Sequence, residues 1–143
     1  MSRIWLCLLA LAMVPAIAHA KPPLETVKLK VEATELDRDM LLQKLNEHGK
    51  GNHLRFVSAD KGFQYRIVFD TAQRRNTLLG VMGAGAVNYS GAGVTVYDAK
   101  GTDLFHFERA NRYTDSGATN AAAKEIIKRL LRLRKLERDQ HQR

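Results

Sequence analysis

Apolar and charged side chains alternate strictly over residues 27–32. Val27, Leu29 and Val31 fall on one side of this segment, and two lysines and a glutamate fall on the other. Successive side chains of a strand point to opposite faces, so the alternation predicts a β-strand with one buried face and one solvated face.

From Asp37 onward the apolar residues recur at helical spacing, with charged side chains largely opposite them. Asp37 is the predicted N-cap, and Gly49 with Gly51 is predicted to end the helix. The apolar side comprises Met40, Leu41, Leu42 and Leu45.

Four more segments have the pattern of strands: 54–57, 63–69, 94–98 and 103–108. Asp60-Lys61-Gly62 has the composition of a tight turn and predicts a hairpin between the first two of them. Residues 99–102 predict a second hairpin between the last two.

A long amphipathic helix is predicted near the end of the chain. Ser116, Thr119 and Asn120 all offer capping oxygens, so its first residue stays open. Its apolar stripe comprises Ala123, Ile126, Ile127, Leu130, Leu131 and Leu133. The order strand, helix, strands, helix predicts an α+β two-layer sandwich, with a mixed sheet of four to five strands covered by two helices.

The first twenty residues have the three zones of a secretory signal peptide. Arg3 supplies the positive end, residues 4–14 are apolar, and Ala18-His19-Ala20 offers the small side chains that a signal peptidase requires. The apolar run is shorter than the roughly 20 residues of a spanning helix. We therefore expect residues 1–20 to be cleaved and the mature domain to be periplasmic; the alternative is an uncut anchor. Residues 21–136 would form one α+β domain, followed by a frayed basic tail over 137–143.

The whole chain has 143 residues and a net charge of +8. Cleavage would remove Arg3 and the single cysteine, Cys7, so the net charge would fall by one and neither a disulfide nor thiolate chemistry would remain. Cys7 also lacks the small-residue context of a lipidated cysteine.

Candidate catalytic residues do not assemble into a recognisable pattern. Glu47, His48 and His53 have no metal-ligand spacing, and Asp98 and Asp103 flank a turn, where aspartate is common. The glycine-rich stretch lacks the lysine and hydroxyl residue of a phosphate loop, and no serine has a nucleophile-elbow context. We therefore expect no enzymatic activity, no cofactor and no metal.

Residues 77–93 carry no charge and are rich in glycine and alanine. Two interpretations stay open: a linker between strands, or an interface at which small residues allow close backbone approach. For the interface, the predicted partner-binding residues are Val81, Met82, Val87 and Tyr89.

The last helix carries many basic residues. Basic charge attracts a protein to anionic surfaces, which in the envelope are lipid headgroups and polysaccharides. The predicted anion-binding residues are Lys128, Arg129, Arg132 and Lys135. The alternative is a core-packing helix whose solvated face is merely basic. Nucleic acid is not expected as a partner, because export and the lack of an aromatic platform both disfavour it.

The uncharged stretch, residues 94–101 and residues 121–127 together resemble small bacterial envelope domains, namely the N-terminal domain of TolB and the core of the curli secretion lipoprotein. The resemblance implies two helices packed on a mixed sheet and a protein-binding accessory role in the envelope.

The leading functional hypothesis is a non-enzymatic periplasmic module that docks on an envelope protein. One alternative is a binder of anionic polymer or lipid through the basic helix. Another is an inhibitor or immunity protein against a periplasmic toxin. The oligomeric state stays open.

Overall fold

The computed structural model describes residues 21–76, 87–110 and 114–142, with side chains described over 21–71, 90–109 and 114–142. Over these ranges, five strands and two long helices follow one another, with a short 3₁₀ turn over Lys50–Asn52. The elements are β1 (Glu25–Glu32), α1 (Glu35–Gly49), β2 (Leu54–Ser58), β3 (Tyr65–Asn76), β4 (Val87–Asp98), β5 (Asp103–Ala110) and α2 (Asp115–His141). The predicted α+β sandwich of a mixed sheet and two helices is confirmed.

The sheet has the order β2-β1-β3-β4-β5. β1 is parallel to both of its neighbours, β2 and β3, whereas β3, β4 and β5 form an antiparallel meander. β1 is therefore an interior strand, although it comes first in the chain, and β2 and β5 are the two edges of the sheet within the described ranges.

The predicted hairpin between β2 and β3 is wrong. The two strands lie on opposite sides of β1, and residues 59–64 cross from one side to the other. The amide of Ala59 donates to Leu29 O at 2.8 Å, and the amide of Gln64 donates to Lys28 O at 2.9 Å. Gly62 does adopt a left-handed φ of 65°, so the turn chemistry is present, but it serves a crossover.

The predicted hairpin between β4 and β5 is present. Asp98 Oδ1 accepts hydrogen bonds from the amides of Lys100 and Thr102, both at 2.8 Å, as expected of a turn aspartate. These hydrogen bonds lower the pKa of Asp98, and the one from the amide of Thr102 has the largest effect. β4 starts earlier than predicted, because the uncharged residues Val87–Gly93 already pair with β3.

Both helices begin at threonines rather than at the predicted caps. Thr34 Oγ1 accepts from the amide of Asp37 at 3.2 Å, so Asp37 lies in the first turn of α1 and is not its N-cap. Thr114 Oγ1 accepts from the amide of Gly117 at 3.1 Å and caps α2. α1 ends at Gly49 as predicted.

The core lies between one face of the sheet and the two helices. Its fully buried side chains come from β1, β3, β4 and both helices, and include Val27, Leu29, Leu41, Leu45, Ile67, Val96, Ile126 and Leu130. The helices also touch through polar groups, since His48 Nε2 lies 2.6 Å from Asn120 Oδ1. Within the described ranges both helices, α1 and α2, lie on this one face of the sheet.

α2 continues to His141, and its side chains from Lys135 onward are exposed. Neither α1 nor α2, nor any other helix in the described ranges, is long and apolar enough to cross a membrane. The division into a leader, one domain and a tail stays a prediction.

Candidate binding groove

The predicted docking residues cannot be placed. Val81 and Met82 lie outside the described residues, and only the backbone of Val87 and Tyr89, within β4, is described. The two ends of the intervening segment are close together in the sheet, because Asn76 is paired with Val87.

The predicted anion-binding residues are all on α2. Lys128, Arg132 and Lys135 are exposed, and none of them forms an ion pair with another described residue. Lys124, which is also exposed, extends the set by one turn. Residues spaced by three or four share one face of a helix, so these side chains form a row. We call Lys124, Lys128, Arg132 and Lys135 the basic row.

Arg129 has a different environment from the basic row. Its Nε donates to Glu125 Oε1 at 2.8 Å, and its guanidinium lies over the rings of Phe107 and Phe105, at 4.8 and 5.5 Å from their centroids. Arg109 holds the same carboxylate from β5 at 2.7 Å. The hydrogen bond from Arg129, followed by that from Arg109, lowers the pKa of Glu125. Arg129 therefore joins α2 to β5.

A groove of about 330 Å³ runs between β5 and α2 and brings the predicted basic residues together with apolar ones. Leu104 and Phe105 of β5 and Leu133 of α2 are half-buried and form its apolar floor. The remaining lining residues are Glu125, Lys128, Arg129 and Arg132. Three of the four predicted anion-binding residues thus line one groove, which we call the β5–α2 groove.

The sequence did not reveal the β5–α2 groove as a site. Leu133 was predicted as part of the apolar stripe of the last helix, and Leu104 could have been found as an apolar residue that alternates with Phe105 and Phe107 along its strand. Their proximity, however, depends on which strand α2 covers, and no local pattern fixes that.

A larger open cleft, of about 740 Å³, lies between the last turns of α2 and the starts of β1, β2 and β3. Arg134 crosses its wall and lies 2.9 Å from Glu25 Oε1. Burial opposes the charge of Arg134, but hydrogen bonds and attraction from Tyr65 and Glu25 outweigh it and raise the pKa of Arg134. The cleft is thus closed on one side by a satisfied ion pair.

A third depression, of about 490 Å³, lies on the face of the sheet away from α1 and α2, beside Val68, Thr95 and His106. Its lining is mixed in polarity, and His106 is exposed there.

The titratable residues considered for metal binding have structural partners or solvent around them. Glu47 accepts from Lys44 at 2.8 Å and from Gln43 at 3.0 Å, and these bonds lower its pKa. His48 faces α2 instead, and His53 holds a left-handed φ of 56° after the 3₁₀ turn. In the part of the chain that the structure describes, no three histidine, cysteine or carboxylate side chains are grouped as metal ligands. The absence of enzymatic activity stays a prediction.

No protein family matches the chain, and no curated protein matches it. Among solved structures, a minor lipoprotein from Acinetobacter baumannii is similar, with 13% identity and a TM-score of 0.43 over 79% of this chain and 96% of that one. An uncharacterized lipoprotein B from Nitrosomonas europaea, solved in solution, has 14% identity and a TM-score of 0.36 over 73% of this chain and 72% of that one. Neither is TolB or the curli lipoprotein, so that resemblance stays a prediction.

Proposed function

We propose that the mature domain is a non-enzymatic binding module, exported to the periplasm, that docks on another protein of the cell envelope. The signal-peptide pattern of residues 1–20 supports export, and the apolar and basic side chains that line the β5–α2 groove support binding. We place the docking surface at the β5–α2 groove.

The observation that carries this proposal is the composition of the β5–α2 groove. Its half-buried leucines, Leu104 and Leu133, offer apolar surface whose burial against a partner would be favourable by about 25 cal/mol per Å². Its rim carries Lys128 and Arg132, which have no ion pair with another described residue. An apolar centre with a charged rim is the usual anatomy of a protein interface.

The test is in-cell cross-linking and capture with tagged mature protein, followed by washing at low and high salt. The double variant Leu104→Ser/Leu133→Ser removes the apolar floor, and we expect it to lose a capture that survives high salt in the unaltered domain. Lys61→Glu/Lys100→Glu is the matched surface control, because both lysines are exposed in turns away from the groove. Undiminished capture by the leucine variant would refute the placement.

If capture is lost in Val81→Asp/Met82→Asp instead, the docking function stands, but its surface lies in the uncharged segment that contains the predicted partner-binding residues. Circular dichroism and urea unfolding of each variant separate loss of docking from loss of the fold.

A second candidate function is binding to anionic lipid or polysaccharide, favoured by the basic row itself. Four exposed cations at successive turns of one helix could meet a flat anionic surface without any apolar floor. Exposed charges are screened beyond about 8 Å at physiological ionic strength, so such binding should fall steeply with salt.

Sedimentation with phosphatidylglycerol vesicles tests this candidate. Lys128→Glu/Arg132→Glu should release the protein from the vesicles, whereas Leu104→Ser/Leu133→Ser should leave vesicle binding unchanged. Vesicle binding that is insensitive to salt would count against it.

A further inference from the structure

We propose that the docking partner contributes an extended acidic segment, which adds to the free edge of β5 as a sixth strand and lies in the β5–α2 groove. This inference rests on the proposed docking function and deepens it by naming the chemistry of the partner. It follows from three features of the described residues: a strand edge to which none of them adds a further strand, a blocked opposite edge, and positive charge above the first edge that has no ion-pair partner among them.

The hydrogen-bond phase of the sheet can be followed from β1 outward. The amide of Gln64 donates to Lys28 O, where β3 runs parallel to β1. The backbone N–H and C=O groups of even-numbered residues in β3 therefore point toward β1, and those of odd-numbered residues point toward β4. Ile67 is opposite Val96, so the backbone groups of Val96 point toward β3 and those of its neighbour Thr95 point toward β5. The pairing of β4 is regular between Val87 and Val96. Thr95 therefore forms backbone hydrogen bonds with His106, the residue opposite it in β5.

The alternate residues of β5 must then direct their backbone groups away from the sheet. On the regular side of the register shift at Val96/Tyr97 these are Phe107 and Arg109, which carry two amide donors and two carbonyl acceptors along the outer edge. No hydrogen bond within the described ranges occupies these groups from outside the sheet. The nearest such contact is a long one, of 3.4 Å, from Arg129 to the carbonyl of His106.

The other edge of the sheet is blocked by a side chain. Asn46 of α1 accepts from the amide of Phe56 at 2.9 Å and donates to its carbonyl at 2.9 Å. This carboxamide occupies both outward groups of Phe56 and so takes the place that a neighbouring strand would fill. β2 also has only five residues, against eight in β5. A strand can therefore add at β5 and not at β2.

The charge around the free edge selects an acidic segment. Lys128 and Arg132 lie above the groove without ion-pair partners among the described residues, so they can neutralise carboxylates that point from the added strand toward α2. Glu125 is the carboxylate among the described lining residues, and it is already held by Arg109 and Arg129. It should therefore repel an acidic strand only weakly.

The experiment uses the full mature domain and a defined probe, a fluorescent peptide of alternating glutamate and valine. We expect it to bind, and the lysine–valine analogue not to bind. On saturation, amide exchange followed by NMR should slow by about tenfold or more at Phe107 and Arg109, because their amides become hydrogen-bonded. Exchange at His106 should change little, since its amide is already paired with β4.

A second measurement tests the strand geometry. Two further peptides carry N-methyl groups, one on all glutamate amides and the other on all valine amides. Only one edge of an added strand faces β5, so one methylated peptide should lose binding by about tenfold or more while the other keeps it. Loss in both peptides, or in neither, would overturn the proposal, as would peptide binding without protection of Phe107.

The variant Lys128→Glu/Arg132→Glu should lower the affinity for the glutamate–valine peptide by roughly fivefold to tenfold, in line with two exposed charge contacts.

Failure of this inference is distinguishable from failure of the docking function. If the leucine variants lose their captured partner but the peptide protects no amide, docking stands and strand addition is wrong. Binding of phosphatidylglycerol vesicles with no binding of peptide would also overturn strand addition.

Discussion

Gly49 lies where α1 closely approaches β2, and this contact decides whether replacing Gly49 with alanine raises or lowers the free energy of unfolding. A Cβ built on Gly49 would lie 2.8 Å from Phe56 Cε2 and 2.9 Å from the carbonyl oxygen of Leu54. Phe56 is only 2% exposed, so its ring has little room to move, and the carbonyl belongs to the backbone. Gly49→Ala should therefore force α1 away from β2.

Two effects of Gly49→Ala oppose each other. Helix propensity favours alanine over glycine by up to about 1 kcal/mol in a helix interior, and by less at the last residue. Overpacking of a tight core typically costs about 1–3 kcal/mol. Since one of the two contacts is with backbone, we expect the steric cost to dominate and the free energy of unfolding to fall by about 1–2 kcal/mol.

Gly51→Ala is the matched control, because a Cβ there meets nothing within 4 Å and Gly51 does not hold a positive φ. It should stabilise the domain by about 0.4–1 kcal/mol through the lower entropy of the unfolded chain. Urea unfolding followed by circular dichroism measures both. With a slope of about 1–3 kcal/mol/M, the midpoint should fall by roughly 0.3–2 M for Gly49→Ala and rise for Gly51→Ala. Equal or greater stability of Gly49→Ala would show that Gly49 does not set the distance between α1 and β2.

Three further predictions concern other parts of the molecule. Asn46→Ala should lower the free energy of unfolding by about 1–3 kcal/mol, since both outward groups of Phe56 lose their partner, and light scattering should reveal self-association through the opened β2 edge. The pKa of Glu125 is lowered in the folded domain, so its contribution to stability is present above its usual pKa of 4.5 and is lost as the pH falls through the lower folded value. The difference in unfolding free energy between the unaltered domain and Glu125→Gln should therefore be largest near pH 7 and shrink in acid. A difference that grows in acid would contradict this. Val81→Asp should leave the urea midpoint of the folded domain nearly unchanged if that residue serves docking rather than the core.

The periodic elements could be predicted from the sequence because each pattern is local. The strand predicted from the alternation around Val27 and the helix predicted from the spacing around Leu41 are both present, as β1 and α1. The N-cap of α1 was misplaced by three residues because Asp37 and Thr34 both have suitable oxygens. Asp37 is engaged elsewhere, accepting a hydrogen bond from Thr71 of β3 at 3.0 Å, and Thr34 remains to cap the helix.

The pairing of β2 with β1 could not be predicted, because the turn at Gly62 indicates that the chain bends and not which strand lies between its two ends. The same limit applied to the candidate site. The exposure of Lys128 and Arg132 follows from helical spacing, but the different environment of Arg129 depends on the aromatic rings of β5, a strand whose position relative to α2 is a property of the whole fold.

The position of β1 has a consequence for how the domain assembles. β1 precedes every strand with which it pairs, and Glu25 lies opposite Leu54 while Leu29 lies opposite Tyr65. A chain delivered N-terminus first must therefore hold β1 unpaired until β2 begins to emerge at residue 54, and the edge of β1 that pairs with β3 stays incomplete until residue 68 has emerged, since Glu32 pairs with Val68. Contacts of this range slow folding, and an unpaired apolar strand is a target for aggregation. The charged alternate residues of β1, Lys28, Lys30 and Glu32, would keep that waiting strand soluble.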